Sequence, residues 1–352
     1  RPRRAPRHPL GFPAVRMRPA LTVALAAGVL CAPAQAQETT ISVDASKASG
    51  EVSPLLFGLN HRFGFDGYDS YQPARRRVAP RLTAGVRQAG VSWVRYPAGT
   101  MANLFRWRRA VGPPGRRGCQ VNGAGRGEGG PLTSSYGPDE HMRFVEQVGG
   151  TASIVVNFAT GTPREAASWV RYMNGRVGTS RWANLRARNG HPRPYGVKWW
   201  EIANEPWLPW QDGWMAGAGV GATSASEAER YAFGGTTRFE REPVGTRCDR
   251  RPAAALSDGR PGQVKYADNP PVSAQTVEVG GQPWRAVRRL GAAGPRDRVY
   301  ELDRASGRIR FGDGRHGAIP PRGQQIAVSY RSGPHAGFAD FYRAMKGADP
   351  SI

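Results

Sequence analysis

Apolar residues in the first two thirds of this chain fall in short runs that end in polar ones. Leu56-Phe57-Gly58-Leu59-Asn60 is the first such run, and Val91-Ser92-Trp93-Val94-Arg95 the second, ending before Pro97. Ser153-Ile154-Val155-Val156-Asn157 and Val197-Lys198-Trp199-Trp200-Glu201-Ile202-Ala203 follow, the last leading into Asn204 and Glu205. Runs that stay apolar without alternating predict strands buried on both faces, as in a parallel sheet. Between them, Arg81 to Gln88, Asp139 to Val148 and Pro163 to Met173 carry apolar residues at helical spacing, with Pro163 suited to a first turn and Thr162 to the cap.

Strand and helix in alternation predict an α/β fold, and polar residues at successive strand tips are what a (β/α)8 barrel of the TIM type places on its catalytic face. A doubly wound open sheet is the alternative, disfavoured because no Gly-rich loop follows the first strand. From about Gly234 to Gly333 the pattern changes to Gly, Pro and Arg with short alternating runs, such as Gln275-Thr276-Val277-Glu278-Val279 and Gln325-Ile326-Ala327-Val328-Ser329-Tyr330. This predicts a small β-rich insertion, with a hairpin expected at Asp313-Gly314. Phe338, Phe341, Tyr342 and Met345 then mark an amphipathic helix, and Asp349 to Ile352 reads as the opening of a fifth strand. The expected organisation is a leader over 1–36, the first half of a barrel over 37–233, the insertion over 234–333 and a return to the barrel over 334–352.

The leader contains Met17 and Arg18, an apolar run from Leu21 to Leu30, and Ala34-Gln35-Ala36. That is the order of a cleavable export signal, too short in its apolar core to remain as a spanning helix. Cleavage after Ala36 would release the protein to the periplasm or the medium without a membrane anchor. Cys119 and Cys248 would then meet an oxidising compartment, though spacing alone leaves their pairing open.

Charge changes the picture less than its size suggests. The formal net charge is +23, which raises nucleic acid as a partner. Yet the cations are nearly all Arg, with Lys only at Lys47, Lys198, Lys265 and Lys346, and they are scattered. No nucleic-acid partner is expected. No metal spacing joins the histidines, so neither metal nor other cofactor is expected.

Candidate chemistry centres on Glu205. Glycoside hydrolysis needs one carboxylic acid to protonate the leaving oxygen and a second carboxylate to attack or activate water. Glu205 ends an apolar strand between Asn204 and Pro206, and an adjacent amide can bond a sugar 2-hydroxyl. Trp207 and Trp210 in the following loop are candidate sugar-stacking residues, while Trp199 and Trp200 are assigned to packing and His61 to a structural role.

Ordered matches then accumulate. They run through Phe57-Gly58-Leu59-Asn60, Val94-Arg95-Tyr96-Pro97, Tyr136-Gly137-Pro138-Asp139-Glu140, Val156-Asn157-Phe158-Ala159-Thr160-Gly161-Thr162, Glu165 to Asn174, and Asn204-Glu205-Pro206. In these the chain resembles the catalytic domain of bacterial α-L-arabinofuranosidases, retaining barrel glycosidases, over residues 53–215. The resemblance implies that Glu205 is the general acid/base, that Asn204 binds substrate, with Asn60 and Asn157 as further strand-tip contacts, and that the substrate is an arabinose-containing polysaccharide or oligosaccharide. It also implies a nucleophile glutamate on a later strand, so the chain is expected to be the N-terminal part of a longer, active protein and inactive alone. Ala98, Gly99 and Thr100 depart from the family's pattern of two glycines and an asparagine, which keeps a related barrel glycosidase such as a glucuronidase as the alternative, beside a non-catalytic carbohydrate-binding protein. Glu201, four residues before Glu205 on one strand, would lie about 13 Å from it, too far for a retaining pair. Arg310-Phe311-Gly312-Asp313-Gly314 in the insertion resembles a small module of phage baseplate-like proteins.

Overall fold

A computed structural model describes residues 40–47, 50–123, 130–206, 208, 211, 213–215 and 224–352. The expected leader, with its expected cleavage after Ala36, lies outside them. Residues 52–352 form one compact unit.

Four strands make the first sheet: β1 (Gly58–Asn60), β2 (Trp93–Tyr96), β3 (Thr151–Val156) and β4 (Trp199–Ile202). They lie side by side in chain order, every pair parallel. Crossovers are helical: α1 (Pro80–Gln88) and α2 (Pro138–Val148) between β1 and β3, then α3 (Pro163–Asn174) and α4 (Arg181–Arg188) before β4. Three of these begin with proline at the first turn, and Thr162 accepts from the Glu165 N–H to cap α3. The core below the sheet is aromatic, with Trp107, Trp169, Tyr96, Tyr136 and Phe105 all buried.

The second part is a seven-stranded sheet. It comprises β5 (Gly235–Pro243), β6 (Val264–Tyr266), β7 (Val272–Val279), β8 (Gln282–Ala286), β9 (Val299–Asp303), β10 (Arg308–Phe311) and β11 (Ile326–His335), in the order β6-β10-β9-β8-β7-β11-β5. Its own core gathers Val277, Trp284, Tyr300, Phe311, Val328 and Tyr330. Gly235 pairs with His335, so the two ends of the segment leave the first part side by side. They continue as α5 (Ser224–Phe233) and α6 (Phe338–Lys346), joined by Tyr231 against Phe338, with Phe158 touching Tyr231 and Phe341. Cys119 and Cys248 form a disulfide that ties the two parts together a second time.

Several expectations need correcting. The first strand begins at Gly58 because Pro54–Leu56 is a 3-10 turn, leaving Leu56 and Phe57 exposed. Helix α4 was not foreseen. Asp313-Gly314 does not turn a hairpin: β10 and β11 are not neighbours, and Asp313 accepts from the Arg315 and His316 N–H groups within the loop between them. Asp349 to Ile352 form a turn closed by Ser351 on Asp349, not a strand.

Candidate active site

The chain turns sharply where β4 ends. Ala203 (φ 76°) and Glu205 (φ 44°) both take left-handed backbone, which costs a residue with a side chain and persists only where its surroundings enforce it. Here the enforcing residue is Asn103, itself buried. Its Oδ1 accepts from the Asn204 N–H at 3.0 Å and its Nδ2 donates to the Asn204 carbonyl at 2.7 Å, clamping that peptide from both sides. Glu205 consequently projects into solvent.

The carboxylate is oriented by two amides. Asn204 Nδ2 donates to Glu205 Oε2 at 3.1 Å and Gln211 Nε2 donates to the same oxygen at 3.3 Å. Gln211 is buried, and its Oε1 accepts from Asn103 Nδ2 at 3.3 Å, so one side chain braces both the backbone and the second donor. Among the described residues Oε1 of Glu205 accepts no hydrogen bond.

A layer beneath fixes Asn204. Arg95 on β2 stands opposite Ser153 on β3, which stands opposite Trp199 on β4; Glu201, two residues further, shares that face. The Arg95 Nε donates to Glu201 Oε1 and Oε2 at 2.9 and 2.8 Å, Ser153 Oγ donates to Glu201 Oε1 at 2.8 Å, and Arg95 NH2 donates to Asn204 Oδ1 at 3.1 Å. Because a guanidinium can only donate, Asn204 must present its oxygen to Arg95 and its NH2 to Glu205. Glu201 is thus a positioning group at one remove, and Glu140 and Glu165 are likewise held by Arg117 at 2.8 Å and Arg106 at 2.6 Å.

Of the other expected contacts, Asn60 joins the site. A Cβ added at Gly99 would lie 3.4 Å from Asn204 Oδ1 and 3.7 Å from Asn60 Nδ2, so the two amides face one gap that glycine leaves open. Asn157 does not join it. Its Oδ1 accepts from the Thr160 and Gly161 N–H groups and its Nδ2 donates to Phe105 O and Thr160 Oγ1, which commits the buried amide to its own loop. The loop is tight enough that a Cβ at Gly161 would come within 2.1 Å of Asn157 O. Trp207 and Trp210 lie outside the described residues. Trp200 packs as expected, on Trp169, but Trp199 is 49% exposed and meets Trp93 edge-on; Trp214 is buried against His335. His61 is structural, bonded to Gly67 O, Ser70 Oγ and Tyr136 OH, and burial lowers its pKa to about 4. Asn103 and Gln211 were missed as site residues. Among the described residues no group of three or more His, Cys, Asp or Glu could hold a metal ion, and no helix is long and apolar enough to cross a membrane.

Residues 86–216 match the family model described as the alpha-L-arabinofuranosidase 1 domain. They contain β2, β3, β4 and the Asn204-Glu205 turn. Over this part the chain is similar to α-L-arabinofuranosidase catalytic domains. The probable alpha-L-arabinofuranosidase C of Aspergillus niger is 38% identical over 179 residues, 49% of this chain and 35% of that protein. The intracellular exo-alpha-(1->5)-L-arabinofuranosidase of Streptomyces lividans is 32% identical over 196 residues, 53% of this chain and 29% of its own. Similarity therefore reaches fungal as well as bacterial proteins, and the chain spans about a third of the length of the curated relatives it matches. The GH51 arabinofuranosidase from Xanthomonas axonopodis pv. citri superposes with a TM-score of 0.42 at 29% identity, covering 46% of this chain and 34% of that one.

Proposed function

We propose that Glu205 is the general acid/base of a retaining α-L-arabinofuranosidase that releases terminal arabinofuranosyl units from polysaccharides outside the cell. The observation that carries this is the strained, doubly clamped turn at the end of β4, which sets an exposed carboxylate between two amide donors inside the arabinofuranosidase region. In the first step a second carboxylate attacks the anomeric carbon while the Glu205 carboxyl proton passes to the glycosidic oxygen and the aglycone leaves; in the second the Glu205 carboxylate takes a proton from the water that displaces the glycosyl ester. Asn204, its NH2 directed by Arg95, and Asn60 would bond the sugar hydroxyls in the gap over Gly99.

The four parallel strands are read as the opening half of a (β/α)8 barrel. Support comes from their consecutive order and from Phe57 and Trp199, apolar residues left exposed on the two outer strands and their approaches. Export is proposed from the leader, and the disulfide suits an oxidising compartment.

Assay of the protein at its native length against aryl α-L-arabinofuranoside and aryl glucuronide tests the reading. Turnover of the first alone is expected. Preference for the glucuronide would favour the related-glycosidase alternative, and saturable sugar binding without turnover of either would favour a binding protein.

A further inference from the structure

Where the seven-stranded sheet meets the arabinofuranosidase region, a cleft of about 820 Å3 opens, within the size range of small-molecule sites. One wall is the loop through Arg106 and Arg109 with the turn before α3; the other comes from Arg247, Arg250 and Arg308 of the sheet and its loops. Asp268 is the single acid among the described lining residues, and it pairs with Arg250 at 3.6 Å. Arg106 is answered by Glu165 at 2.6 Å. Arg109, Arg247 and Arg308 have no carboxylate within ion-pair distance among the described residues.

One of the three cations, Arg109, is held at the disulfide. The disulfide at Cys119–Cys248 sits at the junction: Arg109 donates to Cys119 O at 3.1 Å and touches Cys248 Sγ at 3.5 Å, and Arg247 is the residue before Cys248. Burial first, and then the like charges of Arg247 and Arg106, lower the Arg109 pKa to about 10. Tyr266, Pro270, Pro271 and Pro334 also line the cleft and add ring surfaces to it. A bare inorganic anion has no use for those surfaces, whereas a sugar ring carries C–H faces that pack on them and a uronic acid adds the carboxylate.

We infer that this cleft is a second carbohydrate subsite, taking an acidic stretch of polysaccharide through a uronate carboxylate bound by Arg109, Arg247 and Arg308. The inference rests on the polysaccharide reading of the site at Glu205 and assigns the β-rich segment a role in it: holding an acidic backbone while a neutral side branch reaches the acid/base. The positive charge of the chain then acts locally, at a cleft, in place of a nucleic-acid surface.

Calorimetric titration of this chain with tetragalacturonate, with a neutral arabino-oligosaccharide of equal length and with inorganic phosphate separates the outcomes. The acidic oligosaccharide should bind at least tenfold more tightly than either control, with affinity falling steeply as salt rises. Arg247→Gln, at an exposed position, and Arg308→Glu should each weaken it about tenfold while leaving near-UV circular dichroism and arabinofuranoside hydrolysis by the native-length protein unchanged. Asn204→Ala should alter neutral binding only, so failure of the Glu205 reading leaves this test intact. Equal affinity for the neutral oligosaccharide, a phosphate affinity matching the tetramer, or unchanged binding in both arginine variants would each overturn the assignment.

Discussion

Reducing the Cys119–Cys248 bridge should cost this protein more stability than any single contact within either sheet. The bridge spans a sequence separation of 129, taking in β3, α3, β4 and the start of the second sheet. Closing so long a loop restricts the unfolded chain by about 5 kcal/mol at 25 °C in the chain-entropy view, and measured losses on removing native bridges run to about 2–5 kcal/mol. At about 2 °C per kcal/mol for a unit of this size, the melting temperature should fall by roughly 4–10 °C. The assay is thermal unfolding followed by tryptophan fluorescence, since Trp107 and Trp169 report the first core and Trp284 the second. Oxidised protein, protein with reductant, and Cys119→Ser with Cys248→Ser should fall in two groups, the last two together. A shift below about 1 °C, or two titratable thiols in protein purified from an oxidising compartment, would refute the loop-closure reasoning and the tie between the two parts.

Other expectations concern the scaffold and its pH dependence. Glu140→Ala should cost about 3–5 kcal/mol in urea unfolding, because it strands the buried Arg117, whose side chain is only 1% exposed. Asn103→Ala should lower stability by about 1–3 kcal/mol and cut kcat more than it raises KM, since it releases the Asn204 peptide and one brace of Gln211 without touching substrate. The stability contributed by keeping His61 and His335 neutral should fall with acidification between about pH 6.5 and 4. Burial holds His61 and His335 near pKa 4, so the unfolded chain binds their protons first and each contributes up to about 1.4 kcal/mol per pH unit in that window. A shallower slope there in His61→Asn and His335→Asn combined than in the parent is the check, the remaining slope coming from His141 and His191; an unchanged slope would refute it.

The strands and most helices were legible because each is a local pattern: an unbroken apolar run, or a helical period opened by a proline. Helix α4 was not, since Arg181 to Arg188 carries little apolar signal; it is fixed by Arg186, whose buried guanidinium gathers the Tyr172, Gly175 and Pro192 carbonyls. Glu205 and Asn204 were readable from a strand ending in polar residues, but the reason for their geometry lies with Asn103, a hundred residues away in sequence and unmarked by any period. A signal for Arg95 did exist. A charged residue inside an otherwise apolar strand demands a counter-charge, and Glu201 is the acid within another strand of the same sheet. Asn157 misled because a polar residue at a strand tip looks the same whether it turns outward to a ligand or inward to close its own loop.

Glu205 is proposed to donate and then recover the proton of glycoside cleavage. In the protein at its native length, Glu205→Gln should abolish release of arabinose from a polysaccharide while sparing much of the activity on an aryl arabinofuranoside whose leaving group needs no proton. Added azide should raise the mutant's turnover of the aryl substrate and yield a glycosyl azide, the small anion replacing activated water. Equal loss on both substrates, with no response to azide, would contradict the claim and leave Glu205 a structural residue at the end of β4.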